Sequence, residues 1–241
     1  MLPNNNIPQL SLCIMVWNEK KGCEVDIPRL PRGLFCEIFA VDGGSSDGTV
    51  EFLESKGIPV FKQPVKSLNA AYHYAVELCR GEALVVWFPK GTIDPECIND
   101  IARNLDGKTE LVIASRSMRG GRNEEDVRLL KFRKWGVMLL AVVTAIIWRR
   151  EGVWIRDVLH GVKGFSLAAF RRMGISETGV TVDLEMTVRA YRLNIQRKEI
   201  PVIEHKRASG ETHFPILPTA KRLGAFLLKE LSRPSSSIGR S

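Results

Sequence analysis

Phe39-Ala-Val-Asp-Gly-Gly-Ser-Ser-Asp-Gly-Thr49 is the stretch on which the fold of this 241-residue chain turns. A largely apolar run, Leu34 to Val41, reads as a buried strand that stops at Asp42. A Gly/Ser-rich turn follows and leads into a helix that begins near Thr49. In an open α/β sheet the ligand crevice lies beyond the carboxyl ends of the strands. Asp42 and Asp47 would stand at its edge, where a carboxylate accepts hydrogen bonds from a base or a ribose. The same residues suit a surface turn, which favours Asp and Gly, and Asp47 equally suits capping of the next helix.

Outward from this stretch the pattern repeats. Leu10 to Val16, Pro59 to Lys62, Ala83 to Phe88 and Leu111 to Ala114 read as strands, with helices over Thr49 to Ser55 and Leu68 to Cys79. Short βα units in series predict an α/β fold: a mostly parallel sheet with helices on both faces. An apolar content of 44% supports an ordinary core. The five cysteines (Cys13, Cys23, Cys36, Cys79 and Cys97) are scattered without a CxxC pair, which fits a reduced compartment. Met1 to Gln9 lacks the basic and apolar regions of a secretory signal, so the expected location is cytoplasmic.

A formal charge of +8 implies an anionic partner. The basic residues cluster at 128–134, Arg149-Arg150, Arg171-Arg172 and Lys221-Arg222, with no nucleic-acid reading motif and no interleaved aromatics. A membrane surface or a polyphosphate is therefore expected, and nucleic acid is not. Two of the clusters bracket Trp135 to Trp148, a run of 14 uncharged residues. A spanning helix needs about 20 apolar residues, so this run reads either as a core helix or as an interfacial helix with basic ends. Between Thr219 and Ser232, Leu223, Phe226, Leu227 and Leu231 recur at helical spacing, a second basic amphipathic helix. The expected organisation is a domain over 1–215, with the apolar and basic helix at 128–150, and a C-terminal helix and tail over 216–241.

Several segments in order resemble family 2 glycosyltransferases. Trp17-Asn18-Glu19 resembles their first loop, and Val41-Asp-Gly-Gly-Ser-Ser-Asp-Gly-Thr49 their second-strand nucleotide loop. Ala114-Ser-Arg116 with Gly120-Gly121, and Arg207-Ala-Ser-Gly-Glu-Thr212, are similar to segments of polyprenyl-phosphate mannosyl and glucosyl transferases. The resemblance implies a GT-A fold and transfer of a hexose from a nucleotide sugar. It places Asn18, Glu19, Asp42, Asp47 and Asp94 around the donor, and Arg116, Lys131 and Arg207 on the phosphates. It also implies Mg²⁺ or Mn²⁺ on an Asp-x-Asp pair after the fourth strand.

At that point the chain reads Phe88-Pro-Lys-Gly-Thr-Ile-Asp94-Pro-Glu96, with Phe88 and Lys90 in the carboxylate positions. Neither offers the oxygen ligands that a hard cation takes. Two explanations stand: Lys90 neutralises the donor diphosphate as a fixed cation, or the protein binds without catalysis. A polyprenyl phosphate acceptor would bring its own anionic oxygen. A saccharide hydroxyl would need a base, for which Asp183 and Glu185 are the candidates. His160, within Asp157 to Phe165, is a further acid/base candidate whose commoner role is structural. The resemblance leaves open a membrane subunit or a homo-oligomer.

Overall fold

β1 (Leu10–Val16) is buried at every position, as are β4 (Ala83–Trp87) and β5 (Leu111–Ser115). A strand covered on both faces must be apolar on both, which explains why these runs do not alternate. In the computed structural model, which describes residues 8–124, 132–205 and 216–234, these strands lie within a seven-stranded sheet. The others are β2 (Glu37–Asp42), β3 (Val60–Lys62), β6 (Lys163–Ser166) and β7 (Arg197–Pro201), in the order β3-β2-β1-β4-β6-β5-β7. The helices are α1 (Lys20–Asp26), α2 (Thr49–Ser55), α3 (Leu68–Leu78), α4 (Cys97–Asn104), α5 (Phe132–Trp148), α6 (Leu167–Met173), α7 (Val182–Arg192) and α8 (Ile216–Leu231).

Successive strand residues point to opposite faces, and two cores result. Cys13, Met15, Phe39 and Val86 pack with Tyr72 of α3, Phe170 of α6 and Met186 of α7. Leu12, Ile14, Val85 and Trp87 pack on the other side with Cys23 of α1, Leu53 of α2 and Ile101 of α4. The fold is the expected α/β layering. One strand departs from it: β6 runs antiparallel between β4 and β5. Its four residues, Lys-Gly-Phe-Ser, are too few to show a period. Gly164 is required there because a Cβ would come within 2.6 Å of Ile101 and 2.7 Å of Leu105.

The chain leaves β1 towards β2 and β3, then returns to place β4 on the other side of β1. That reversal is the switch point at which open α/β sheets bind ligands. The loops after β1, β2 and β4 meet there.

Two late helices settle expectations about apolar runs. α5 buries Ala141, Thr144 and Trp148 on one face, while Trp135, Met138, Leu139, Val142 and Ile146 form an exposed stripe on another. Leu139 is 67% and Ile146 75% exposed, so α5 is only half a core helix. Among the described residues no helix is long and apolar enough to cross a membrane. α8 buries Leu223 and Phe226, but Leu231 of the expected stripe is exposed and Glu230 lies inside instead. Glu230 pairs there with Arg192 at 2.8 Å and Arg189 at 3.6 Å.

Candidate functional site at the sheet switch point

Asp42, the last residue of β2, is buried and accepts hydrogen bonds from the backbone N–H of Gly44 and Ser45 and from Ser45 Oγ. It folds the turn back on itself, with Gly44 in the left-handed region at φ 92°. Asn18, also left-handed at φ 53°, accepts from Ser46 N–H at 2.8 Å, and its own N–H donates to Ser45 Oγ. The loops after β1 and β2 are thus laced into one surface.

Asp47 accepts from Thr49 N–H, Thr49 Oγ1 and Lys20 N–H, joining the starts of α2 and α1. Burial opposes its charge, yet these bonds outweigh that and hold its carboxyl below the usual range. Glu19 stands at the start of α1, its N–H donating to Thr49 Oγ1. A cavity of about 250 Å³ opens beside the turn, lined by Asp42, Gly44, Ser45, Glu51, Val60 and Lys62. Lys62 and Glu51 carry no motif and were invisible to sequence reasoning; an edge strand and a helix bring them there.

Across the switch point, the loop after β4 is held by direct backbone packing. A Cβ on Gly22 of α1 would lie 2.1 Å from Pro89 O, and one on Gly161 would lie 2.7 Å from the Phe88 ring. Phe88 supports the Lys90 ammonium, which sits 5.2 Å from the ring centroid, a distance at which a ring face attracts a cation. Thr92 O accepts from His205 N–H at 2.7 Å. Asp94 pairs with Arg29 at 2.6 Å and caps Glu96 N–H, so it serves the loop's own geometry.

The resemblance implied a divalent cation here. The loop offers an aromatic ring and an ammonium group, and Asp94 commits an oxygen to Arg29. Among the described residues no three His, Cys, Asp or Glu side chains gather as a metal site. This donor set does not match a hard dication.

The remaining candidates occupy places the spacing did not foretell. Arg116, expected on a phosphate, instead spends three nitrogens on Asp157 (2.8 and 2.9 Å) and Glu204 (3.0 Å). Burial opposes its charge, and the two carboxylates override it and raise its pKa. Burial likewise opposes the charge on Asp157, but Arg116 brings its carboxyl down to about 2. His160 is buried against Val162 O, and burial with the nearby Arg116 charge lowers it to about 4, so it is neutral at physiological pH.

Asp183 is paired at 2.5 Å with the buried Lys163. Glu185 is 1% exposed and accepts from Asn69 Nδ2, Ser176 N–H and Thr181 Oγ1, which ties down the segment before α7. Glu185 thus has both oxygens engaged, while Asp183 commits Oδ1 to the Lys163 ammonium. Lys131 and Arg207 lie outside the described residues.

Comparison with known proteins agrees with this architecture. The model of glycosyl transferase family 2 matches residues 11–177. The glycosyltransferase AglJ of Haloferax volcanii is 27% identical over 182 residues, covering 73% of this chain and 56% of the relative. The low-salt glycan biosynthesis hexosyltransferase Agl6 of the same organism is 25% identical over 230 residues, covering 92% and 53%. The chain thus spans about half the length of these curated relatives. Among solved structures, glucosyl-3-phosphoglycerate synthase of Mycobacterium tuberculosis, in complex with Mn²⁺, UDP and glucosyl-3-phosphoglycerate, superposes with a TM-score of 0.68. That match covers 94% of this chain and 81% of the synthase at 17% identity, a likeness of fold alone. With well over half its length matched by the family model, the chain belongs to glycosyl transferase family 2.

Proposed function

We propose that the protein moves a hexose from a nucleotide sugar to a polyprenyl phosphate at a membrane surface. The observation that carries this reading is the pairing of two loops across the switch point. The Asp42 turn with its cavity lies on one side, and Lys90 braced on Phe88 lies on the other. The nucleoside lies in the first and the diphosphate meets the second. Lys90 stands in place of a metal as a point charge.

In the transfer step the acceptor's phosphate oxygen attacks the anomeric carbon. The bond from that carbon to the donor's β-phosphate oxygen breaks, and the configuration inverts. The negative charge that develops on the departing nucleoside diphosphate is stabilised by the Lys90 ammonium. An anionic acceptor needs no general base, in keeping with the engagement of Asp183 and Glu185 in structural bonds. The exposed stripe on α5, ending in the exposed pair Arg149-Arg150, supports contact with an anionic lipid surface at the level of Trp135.

The test is turnover of UDP- and GDP-linked hexoses with a polyprenyl phosphate in detergent, with and without EDTA, in the wild type and Lys90→Ala. Lipid-linked product that survives EDTA and falls by roughly 100-fold in the variant is expected. Turnover abolished by EDTA would overturn the role of Lys90. Product found only on a free saccharide would overturn the acceptor.

A further inference from the structure

Asp26, at the end of α1, belongs to none of the motifs above, yet it is 1% exposed and aims at the loop that carries Lys90. Its Oδ2 accepts the Gly91 N–H at 2.9 Å. Gly91 follows Lys90 directly and is left-handed at φ 64°. One turn earlier in the same helix, Gly22 touches the Pro89 carbonyl so closely that any side chain would collide with it. α1 therefore grips the loop on both sides of Lys90, by contact before it and by a hydrogen bond after it.

We infer that Asp26 is a positioning residue of the transfer site, acting through the Gly91 N–H to set the Lys90 ammonium against the donor diphosphate. The inference rests on the reading of Lys90 given above. A buried carboxylate is costly when an apolar residue would fill the space, and here the cost is visible. Burial is the main cause that raises the Asp26 carboxyl from 3.8 to about 6; Asp94 and Glu19 raise it further, while the Gly91 bond and Arg29 lower it. The thiols of Cys23 and Cys97 also face it, and both are held protonated, pushed up mainly by burial. The carboxylate meets one backbone N–H at the functional loop, and Arg29 answers its charge while also pairing with Asp94 of that loop.

Three proteins decide the matter: wild type, Asp26→Asn and Asp26→Ala. The asparagine keeps an acceptor for Gly91 without a titratable group, and the alanine removes it. In the wild type the Gly91 amide resonance is expected to move with a midpoint near pH 6, and in Asp26→Asn to lose that inflection. In Asp26→Ala, kcat is expected to fall at least tenfold while the dissociation constant of the free nucleoside diphosphate changes less than threefold. Asp26→Asn restores kcat to within about threefold of wild type. A merely structural role would lower the folded fraction of Asp26→Ala and leave kcat per folded molecule unchanged, which would overturn the inference. So would a Gly91 resonance without a wild-type inflection. Should Asp26→Ala not fold, Asp26→Leu withdraws the acceptor while keeping the branching of the side chain and is read in the same way. If no donor is turned over by any of the proteins, the transferase reading fails while the Gly91 titration still decides whether Asp26 holds the loop.

Discussion

Asp42 carries two duties with one carboxylate. Both oxygens fold the turn through Gly44 and Ser45, and the group lines the adjacent cavity. Asp42→Ala would leave those donors without their acceptor, at about 1–3 kcal/mol for a buried group. We expect the variant to unfold at lower urea concentration and to bind nucleoside diphosphate at least tenfold more weakly, measured by calorimetry. A second residue-scale prediction follows from Asp26, whose folded pKa of about 6 lies above the unfolded 3.8. Its contribution to stability is therefore complete below pH 4 and is lost as pH rises through 6. A shift of about two units is worth on the order of 3 kcal/mol. The stability of Asp26→Asn relative to wild type should climb by about that much between pH 4 and pH 8 in urea titrations. A flat difference would contradict the assignment.

At the scale of elements, α5 and α8 show what periodicity leaves open. Both are apolar on one stripe by sequence, and both were candidates for an interface. α8 turned its stripe inward, because Glu230 meets Arg189 and Arg192 on α7 and draws Leu223 and Phe226 down with it. α5 has apolar residues around most of its circumference, so burying Ala141, Thr144 and Trp148 still leaves Leu139 and Ile146 in solvent. Leu139→Glu with Ile146→Glu should therefore leave thermal stability within about 0.5 kcal/mol, as exposed sites do. The same pair should abolish co-sedimentation with vesicles containing an anionic lipid. Unchanged vesicle binding would remove α5 from the membrane reading. Glu230→Ala is the contrasting case. It removes the carboxylate shared by two arginines that are almost wholly buried, and breaking a buried pair costs about 3–5 kcal/mol. A large fall in urea midpoint is expected, with the nucleotide affinity of the remaining folded protein unaltered.

Taken as a whole molecule, the sheet divides the work. The β1–β4 switch point gathers the loops around Asp42 and Lys90, and the β5–β7 side carries partly buried ion pairs: Arg116 with Asp157 and Glu204, and Arg156 with Glu199. The turn after β2 was legible because its information is local: an apolar strand, an Asp at its end, and glycines where φ is positive. The ion pairs of Arg116 were hidden for the opposite reason. Its motif is local, but its partners lie 41 and 88 residues away, and only folding shows that they occupy its donors. The bonds of Glu185 and Asp183 were hidden in the same manner, since Asn69, Ser176 and Lys163 reach them from three other segments.

From the sequence alone came the layering of strands and helices, the turn around Asp42, the presence of Lys90 after the fourth strand and the excess of positive charge. Each depends on residues close together in the chain, where periodicity and turn chemistry act directly. The tertiary structure alone decided that Phe88 supports Lys90, that Asp26 reaches Gly91 and that β6 runs antiparallel. It also turned the apolar face of α5 outward and that of α8 inward. Those outcomes depend on which distant groups arrive within hydrogen-bond or packing distance, and that is settled when the sheet closes its order and the helices compete for its two faces.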